Sequence, residues 1–506
     1  MIQSSSTDSS RFRHITPILD RLFQPVDIAG LVYFRVVFSL LMSGMCIRYV
    51  LLDKVGLHYL DTAYLFTYLG FSWVHPWPGI GLYVHFIALG AVALCMALGL
   101  FYRLNAALLF LGFTYVFLLD QARYLNHFYL ICLLSFLMIF LPAHRAGSLD
   151  VLRKPALRTN TTPAWTFWIL LGQIGIVYFL AGVAKANPDW ILGEPLRTWM
   201  QNKTGIPVVG PLFTREWVIY AMSYGALVID LLTFPLLLCR RTRVVAFCVV
   251  VFFHLCNSVL FAIGVFPWLM IASTALFFGP AWPRRIPRVD RWLRGGPELS
   301  ISDSPGSPHS TRRRELTLAL LAIYAGFQVL VPLRHYVYPG DASWTEEGHR
   351  FAWRMLLRTK DSWVRFTASN PETGKTIVIR PRDYLKPRQA RKMASVPDMT
   401  LQFAHFLADE LSRQGHADME IRARASVSLN ARPHQLIIDP EVDLARVSRL
   451  EIPASWILPL ETPLEVVPGE PSEDAETGWP GLHELAQPLF GCSSSGAPAR
   501  HSAPER

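Results

Sequence analysis

Charged residues are scarce in this chain: 17% of its 506 residues are Asp, Glu, Lys or Arg, against 52% hydrophobic, and mean hydropathy is positive. That balance excludes an ordinary soluble globular protein and points to an integral membrane protein. Paired cysteines are missing too. Of seven cysteines, six (Cys46, Cys95, Cys132, Cys239, Cys248 and Cys256) lie in or at the ends of apolar segments and none belongs to a CxxC pair, so neither a zinc site nor a disulfide framework is expected. The first 26 residues lack an apolar core with a small-residue cleavage site, so no cleaved signal peptide is expected and targeting falls to the first spanning helix. A formal charge of +10 could suggest a nucleic-acid partner, but the arginines are spread through short loops instead of gathered on one face, which excludes it.

What is present is a series of apolar stretches close to or above the ~17 to 25 residues that span a bilayer. They run over 28–52, 81–102, 104–119, 127–142, 164–184, 218–239, 243–263, 265–280 and 315–333, predicting nine helices, the third, fourth and eighth of them short. With the N-terminus inside, nineteen basic residues fall in the loops of one side and six (Lys54, Arg123, Lys185, Arg197, Lys203, Arg215) in those of the other. The positive-inside rule then predicts a cytoplasmic N-terminus and an extracytoplasmic C-terminal domain. Beyond about residue 334 the composition is that of a soluble domain. Residues 364–381 predict two strands around a Pro/Gly turn, 388–412 have helical spacing, and 420–429 with 435–439 predict a second hairpin. The expected architecture is an all-α polytopic membrane domain over 28–333 followed by a small α+β extracytoplasmic domain over 334–466. A cytoplasmic tail, 1–27, precedes them and a disordered tail, 467–506, follows.

Ionisable or polar groups inside spans are costly, by about 2.5 to 3.5 kcal/mol at a helix centre, so each needs a reason. Here they are Arg35, Arg48, His127, Gln173, Tyr178, Lys185, Asp230, His254 and Asn257. Under the predicted topology Asp120, Asn126, His127 and Lys185 all lie at the outer boundary, and His254 with Asn257 shares one helix face. A polar pocket there would be open to a lipid-soluble ligand from the side and to the C-terminal domain from above. Position alone leaves the bland readings standing. A lysine closing a spanning helix ordinarily snorkels, His127 can cap a helix start, and His254 with Asn257 can join neighbouring helices. Arg35, Arg48 and Asp230 read as structural ion-pair or hydrogen-bond partners.

The stretch GQIGIVYFLAGVAKANPDW, residues 172–190, closely resembles GQIFIVYFIAGVKKLDADW, the central motif of the vitamin K-dependent γ-glutamyl carboxylases. FLLDQARYLNHFYL (117–130) is similar to that family's FLLDKxxxxNHxYL, and FFHLCNSVLFAIGVFPWLM (252–270) to its FHCMNSQLFSIGMF stretch, in the same order. With GLFYR (99–103) the likeness extends over most of 28–285, and it implies an HTTM-type catalytic membrane domain in a bacterial-type homologue. The family couples oxygenation of reduced vitamin K to removal of a γ-proton from protein glutamate and addition of CO2. Such coupling is needed because a carbon acid beside a carboxylate is far too weak for a side-chain base near pH 7.

The resemblance implies that Lys185, matching the second lysine of GVKK, opens the sequence by taking a proton from the hydroquinone. Ala184 stands at the first lysine, leaving one amine. Burial at an apolar boundary favours the neutral form of a lysine, which is the form a base requires. The hydroquinone anion reacts with O2, and an oxygenated alkoxide then serves as the strong base and ends as the epoxide. Asn126 and His127 are implied to orient the ring or stabilise its oxyanion. His254, Asn257, Gln173 and Tyr178 are expected to contribute to cofactor binding, and Asp120 to fix its neighbours. The implied cofactor is a hydroquinone of menaquinol type, with O2 and CO2 as co-substrates and no metal. The implied partners are a glutamate-containing protein or peptide, the lipid-soluble quinol and membrane lipids.

The likeness thins beyond the membrane domain. The family's peptide-contacting YSWDMM stands here as FAWRML (351–356), keeping Trp353 and Met355 but placing Arg354 at the aspartate, so these three are the expected peptide contacts. SLNARPHQLIIDPEVDL (428–444) resembles INDRFQQRIFDPRVDI. Two other readings therefore stand beside a complete carboxylase: a membrane quinol epoxidase or oxidase without carboxyl transfer, and a non-enzymatic transporter or scaffold.

Overall fold

The computed structural model describes residues 19–294 and 311–464. Apolar helices follow one another as α1 (Ala29–Leu51), α2 (Gly81–Leu98), α3 (Tyr102–Leu118), α4 (Asn126–Phe140), α5 (Trp165–Lys185), α6 (Glu216–Leu238), α7 (Arg243–Leu260), α8 (Phe266–Thr274) and α9 (Thr311–Leu333). Among the described residues six of these, α1, α2, α5, α6, α7 and α9, are long and apolar enough to cross a membrane. The remaining three, α3, α4 and α8, are shorter and occupy the segments expected as short spans. α4 explains why: it is apolar all round and most of its residues are buried, as befits a helix enclosed by others. Of the expected tails, residues 1–18 and 467–506 lie outside the described residues.

Helices α6, α7 and α9 are inverted relative to a soluble amphipathic helix. On α7, Phe252, Val244 and Val245 are exposed while Val250, His254 and Asn257 face inward. On α9, Leu320, Ile323, Phe327 and Leu330 are exposed and Gln328 is buried. Hydrocarbon as solvent reverses the usual pattern, because a polar side chain finds partners only inside the bundle.

The turn in GLFYR has a local cause. Gly99 ends α2 at φ 66°, the left-handed region that glycine enters without steric cost, and the Leu100 amide donates to Cys95 O (2.9 Å), closing a Schellman-type cap. A Cβ at Gly99 would lie 2.4 Å from Ser148 Cβ. Tyr102 then donates to Met138 O (2.6 Å) and Arg103 to Ile139 O (2.6 Å), fastening the start of α3 to the end of α4. Arg35 is structural, as expected: its guanidinium donates to the carbonyls of Ala143, Ala146 and Gly147.

The C-terminal domain is a four-stranded antiparallel sheet in the order β2-β1-β3-β4, where β1 is Lys360–Ser369, β2 Thr376–Ile379, β3 Glu420–Leu429 and β4 Gln435–Leu436. Both predicted hairpins are present, and β1 joins them by pairing with β3 from Lys360↔Leu429 to Ser369↔Glu420. In EIRARASVSL the alternation is strict: Ile421, Ala423, Ala425, Val427 and Leu429 are fully buried while Arg422 and Arg424 point away. The helical stretch resolves into α10 (Pro387–Ala394) and α11 (Pro397–Arg413), because Pro397 cannot continue the first helix. Phe403, Leu407 and Leu411 of α11 enter the same core as Phe366 and Ile421.

Membrane-side loops reach into this domain. Phe66, between α1 and α2, is fully buried in the C-terminal core. Its carbonyl accepts from the Gln121 amide (2.6 Å), and its amide donates to Asp120 (3.2 Å). Asp120 also accepts from the Ala122 amide (2.9 Å) and from Gln389 (3.4 Å). The residue therefore ties the loop after α3 to α10.

Burial raises the Asp120 carboxyl to about 6 despite these donors. Between that value and the ~4 of an unfolded aspartate, a proton binds the folded form preferentially, so stability from this group grows as pH falls from about 7 towards 4 and is lost as pH rises through 6. We expect the thermal midpoint of detergent-solubilised protein to carry that rising component on acidification, and Asp120→Asn to remove it. An unchanged pH profile in the variant refutes the assignment.

Candidate active site beneath the C-terminal domain

Helix α5 ends where NPDW begins. Asn187 accepts the Trp190 amide (3.1 Å) and Pro188 occupies the first position of a new short turn, so the chain cannot carry α5 further and Lys185 is its last residue. The amine does not snorkel. Lys185 is 4% exposed, and its Nζ lies 2.7 Å from Oδ2 of Asp230, itself 4% exposed, on α6. The ring of Trp190 covers the amine at 5.2 Å. Trp190 is fixed in turn: its indole N–H donates to Ser223 O (2.9 Å) and its carbonyl accepts from the Ser223 hydroxyl. Ser223, Asp230, Thr233 and Leu237 form the buried stripe of α6, whose other faces are largely exposed.

Close approach of the two helices makes the pair. A Cβ at Gly182 would lie 2.8 Å from the backbone nitrogen of Leu231, next to Asp230, and one at Gly175 would lie 2.4 Å from the Phe234 ring. Two glycines seven residues apart on one face thus let the backbones meet. Without them the carboxylate could not reach the end of α5.

A second polar group lies on the same face of α5. Tyr178 is two turns below Lys185, about 10 Å along the axis, and its hydroxyl is 2.7 Å from Nε2 of His254 on α7. His254 is buried, and its Nδ1 has no hydrogen-bond partner among the described residues. The ring of Phe266 on α8 lies between two imidazoles, 5.8 Å from His254 and 5.7 Å from His127 on α4. Asn257 shares the inward face of His254. Asn126 accepts from the Tyr124 hydroxyl (2.9 Å) and donates to Arg354 O (3.5 Å), so it also touches the C-terminal domain.

Two expected site residues fall elsewhere. Gln173 is twelve residues below Lys185, about 18 Å down the helix, where it accepts from Tyr324 of α9 (2.6 Å). Asp120 sits at the interdomain junction described above. A narrow apolar cleft between Leu180, Val183 and Ala184 of α5 and Pro332, Tyr336 and Ala352 opens beside the last turn of α5. No cluster of three or more His, Cys, Asp or Glu with metal-ligand spacing occurs among the described residues.

FAWRML packs directly above. Phe351, Trp353 and Leu356 all have positive φ (63°, 54° and 54°), a conformation that costs side-chain-bearing residues of order 1 to 3 kcal/mol each and collects at functional loops. The Phe351 amide donates to Tyr124 (2.7 Å). Trp353 is fully buried and packs on Tyr129 (5.1 Å). Arg354 donates to Ser343 (2.8 Å) and lies 3.6 Å from Asp341, while Met355 packs against the membrane-domain core. Of the three expected peptide contacts, Trp353 therefore has no surface to offer in this conformation. Next to it, Arg432 grips both oxygens of Asp189 (2.6 and 2.7 Å) and Asn430 donates to the same carboxylate (2.8 Å).

Sequence reasoning passed over Asp189, Trp190, Tyr124 and Arg432 and placed Asp230 without its partner. The signals were there: an acid inside a span demands a cation, and Lys185 is the lysine of the apolar helices. The DW dipeptide of NPDW, common to this chain and the resembling motif, supplies the carboxylate for Arg432 and the ring over Lys185.

Gly182→Val is expected to push α6 away and break the Lys185–Asp230 contact, lowering the thermal midpoint by the equivalent of about 1 to 3 kcal/mol. Gly172, whose Cβ would meet nothing within 4 Å, is the control: Gly172→Ala should be neutral. Equal midpoints for the two variants would refute this account of the packing.

Residues 23–282 match the family model of the HTTM domain, and residues 313–463 that of the vitamin K-dependent gamma-carboxylase lumenal domain. No solved structure matches the chain. The HTTM match covers more than half of the sequence and contains Lys185, Asp230, Tyr178, His254 and His127, while the second contains FAWRML and Arg432. With both domains present in order, the chain belongs to the vitamin K-dependent gamma-carboxylase family.

Proposed function

We propose that the protein is a bacterial-type, vitamin K-dependent peptidyl-glutamate carboxylase with vitamin K epoxidase activity. In this reading the 28–333 domain crosses the membrane nine times from a cytoplasmic N-terminus and holds the site, and the 334–466 domain stands outside. The observation that carries the reading is the buried Lys185–Asp230 pair under Trp190, two turns from the Tyr178–His254 hydrogen bond.

An aromatic diol of menaquinol type fits what surrounds the pair. An apolar cleft opens beside the last turn of α5, aromatic rings line the neighbourhood, and the buried Nδ1 of His254 has no partner among the described residues. When bound, the reduced vitamin supplies, through its reaction with O2, the strong base that no side chain can be near pH 7. The chain's own work is the first proton. Lys185 and Asp230 act as one unit: a hydroxyl proton delivered to the pair is shared between amine and carboxylate, which leaves a single positive charge beneath the Trp190 ring. Asp230 thereby changes the expected picture of a solitary neutral amine. His254, oriented by Tyr178, and His127 with Asn126 donate hydrogen bonds to the ring oxygens and steady developing negative charge. Asn257 completes that wall. Gln173 and Asp120 act at a distance, through the packing of α9 and of the domain junction. Trp190 and the apolar 190–213 segment above it exclude water from the amine.

The glutamyl chain is proposed to approach over FAWRML, where Arg354 and Met355 border Asn126, with Trp353 as the support beneath the loop. That loop also favours a second reading, a quinol epoxidase without carboxyl transfer. Arg354 stands where the resembling motif has an aspartate and is already engaged by Ser343 and Asp341.

Purified protein supplied with reduced vitamin K, O2, labelled CO2 and a glutamyl peptide separates the readings when epoxide and fixed label are followed independently. We expect both products, and a fall of at least about 100-fold in both for Lys185→Ala and Asp230→Asn. Epoxide that forms with or without peptide, and no label, establishes the second reading. Wild-type epoxide formation by Lys185→Ala rejects both.

A further inference from the structure

At the far end of the same helices lies a cavity that the proposed reaction does not use. It has a volume of about 550 Å³ and is walled by the start of α3, the end of α4, the start of α5 and the start of α9. Each of these helices runs from here to the C-terminal domain or the loops beneath it, so the cavity opens on the opposite membrane face. Arg103, Arg145 and Arg313 line it. None of the three is paired with a carboxylate among the described residues. Asp150, which faces this end of the molecule, is engaged by the amides of Phe101 and Tyr102 (2.9 Å each) and by Arg153 (3.3 Å). His144 forms part of the wall, stacked on Tyr102 at 5.1 Å. It is more than nine-tenths buried, and its Nδ1 has no partner among the described residues. Apart from Thr166 and Thr317 the rest of the lining is apolar, with Phe140, Trp165 and Leu316 prominent.

We propose that this cavity is a binding site for an anionic phospholipid of the leaflet opposite the C-terminal domain, its phosphate held by Arg103, Arg145 and Arg313 and its glycerol and upper acyl chain lying against Phe140, Trp165 and Leu316. Three guanidiniums lining one cavity with no carboxylate partner among the described residues are an anion site by charge, and their planar forks suit phosphate oxygens. The apolar wall selects a lipid over a free ion. A soluble phosphate gains nothing from an indole and a phenyl ring, whereas a glycerolipid covers both, and basic pockets between spanning helices are where anionic head groups lodge. Arg103 also donates to Ile139 O, so bound phosphate would brace the junction of α3 and α4.

Native mass spectrometry of the full chain released from nanodiscs containing equal phosphatidylglycerol and phosphatidylcholine tests this. We expect retained lipid to favour phosphatidylglycerol at least tenfold over phosphatidylcholine. Arg145→Gln with Arg313→Gln, which removes no hydrogen bond to a protein carbonyl, should abolish that preference, and the Arg145→Lys with Arg313→Lys pair should restore part of it. Millimolar inorganic phosphate or glycerol 3-phosphate should leave it intact. Equal retention of the two lipids, an unchanged preference in the glutamine pair, or displacement by inorganic phosphate would each overturn the proposal, the last by showing a site for soluble anions. Circular dichroism of the glutamine pair establishes that a lost preference is not lost folding.

Discussion

An amine and a carboxylate 2.7 Å apart among apolar helices depend on each other completely. Removing both from water costs several kcal/mol per ion, and the attraction between them recovers this only at close range with the remaining valences satisfied. Much of the nearby structure meets those conditions. The glycines of α5 allow α6 to come near enough, Ser223 locks Trp190 over the amine, and the inward stripe of α6 carries both Ser223 and Asp230. A pair so arranged is weak evidence for stability and better evidence for function, since a hydrophobic substitute would pack there at less cost.

The same few residues connect the two domains. Asp189 and Trp190 are neighbours in sequence, yet one faces Arg432 of the C-terminal domain and the other covers Lys185. A shift of the second hairpin would therefore be felt at the amine through a single peptide unit. Tyr124 makes a comparable link, binding the Phe351 amide and Asn126 at once. The loop resembling the family's peptide-contacting stretch and the polar wall of the membrane-domain site thus share hydrogen bonds, so the conformation of one is tied to that of the other.

Much of the fold was legible because lipid and water impose opposite patterns. Long apolar runs located the six longest helices, and strict alternation in EIRARASVSL located β3. The three shorter apolar helices were found with bounds shifted by a few residues, since a helix enclosed by protein need not match the bilayer thickness. The pairing of β1 with β3 was not legible. Fifty residues separate them, and no local periodicity records which strand edge meets which. At the site, their cost inside apolar spans brought Lys185, His127 and His254 to notice and the resemblance implied their roles, whereas the sorting of Gln173 away from them follows from simple helix rise once α5 is known to be continuous.

The sequence by itself determined that this is a membrane protein with an appended α+β domain, that α5 must stop at Asn187–Pro188, and that a lone lysine stands at its end. These are consequences of composition, period and backbone sterics within a short window. Only the tertiary structure decided that the lysine turns inward to Asp230 instead of outward to the interface, because that choice rests on how closely two helices 45 residues apart can pack. It likewise decided that Tyr178 meets His254 and that Asp189 meets Arg432, contacts whose partners are 76 and 243 positions apart and are brought together by burial alone.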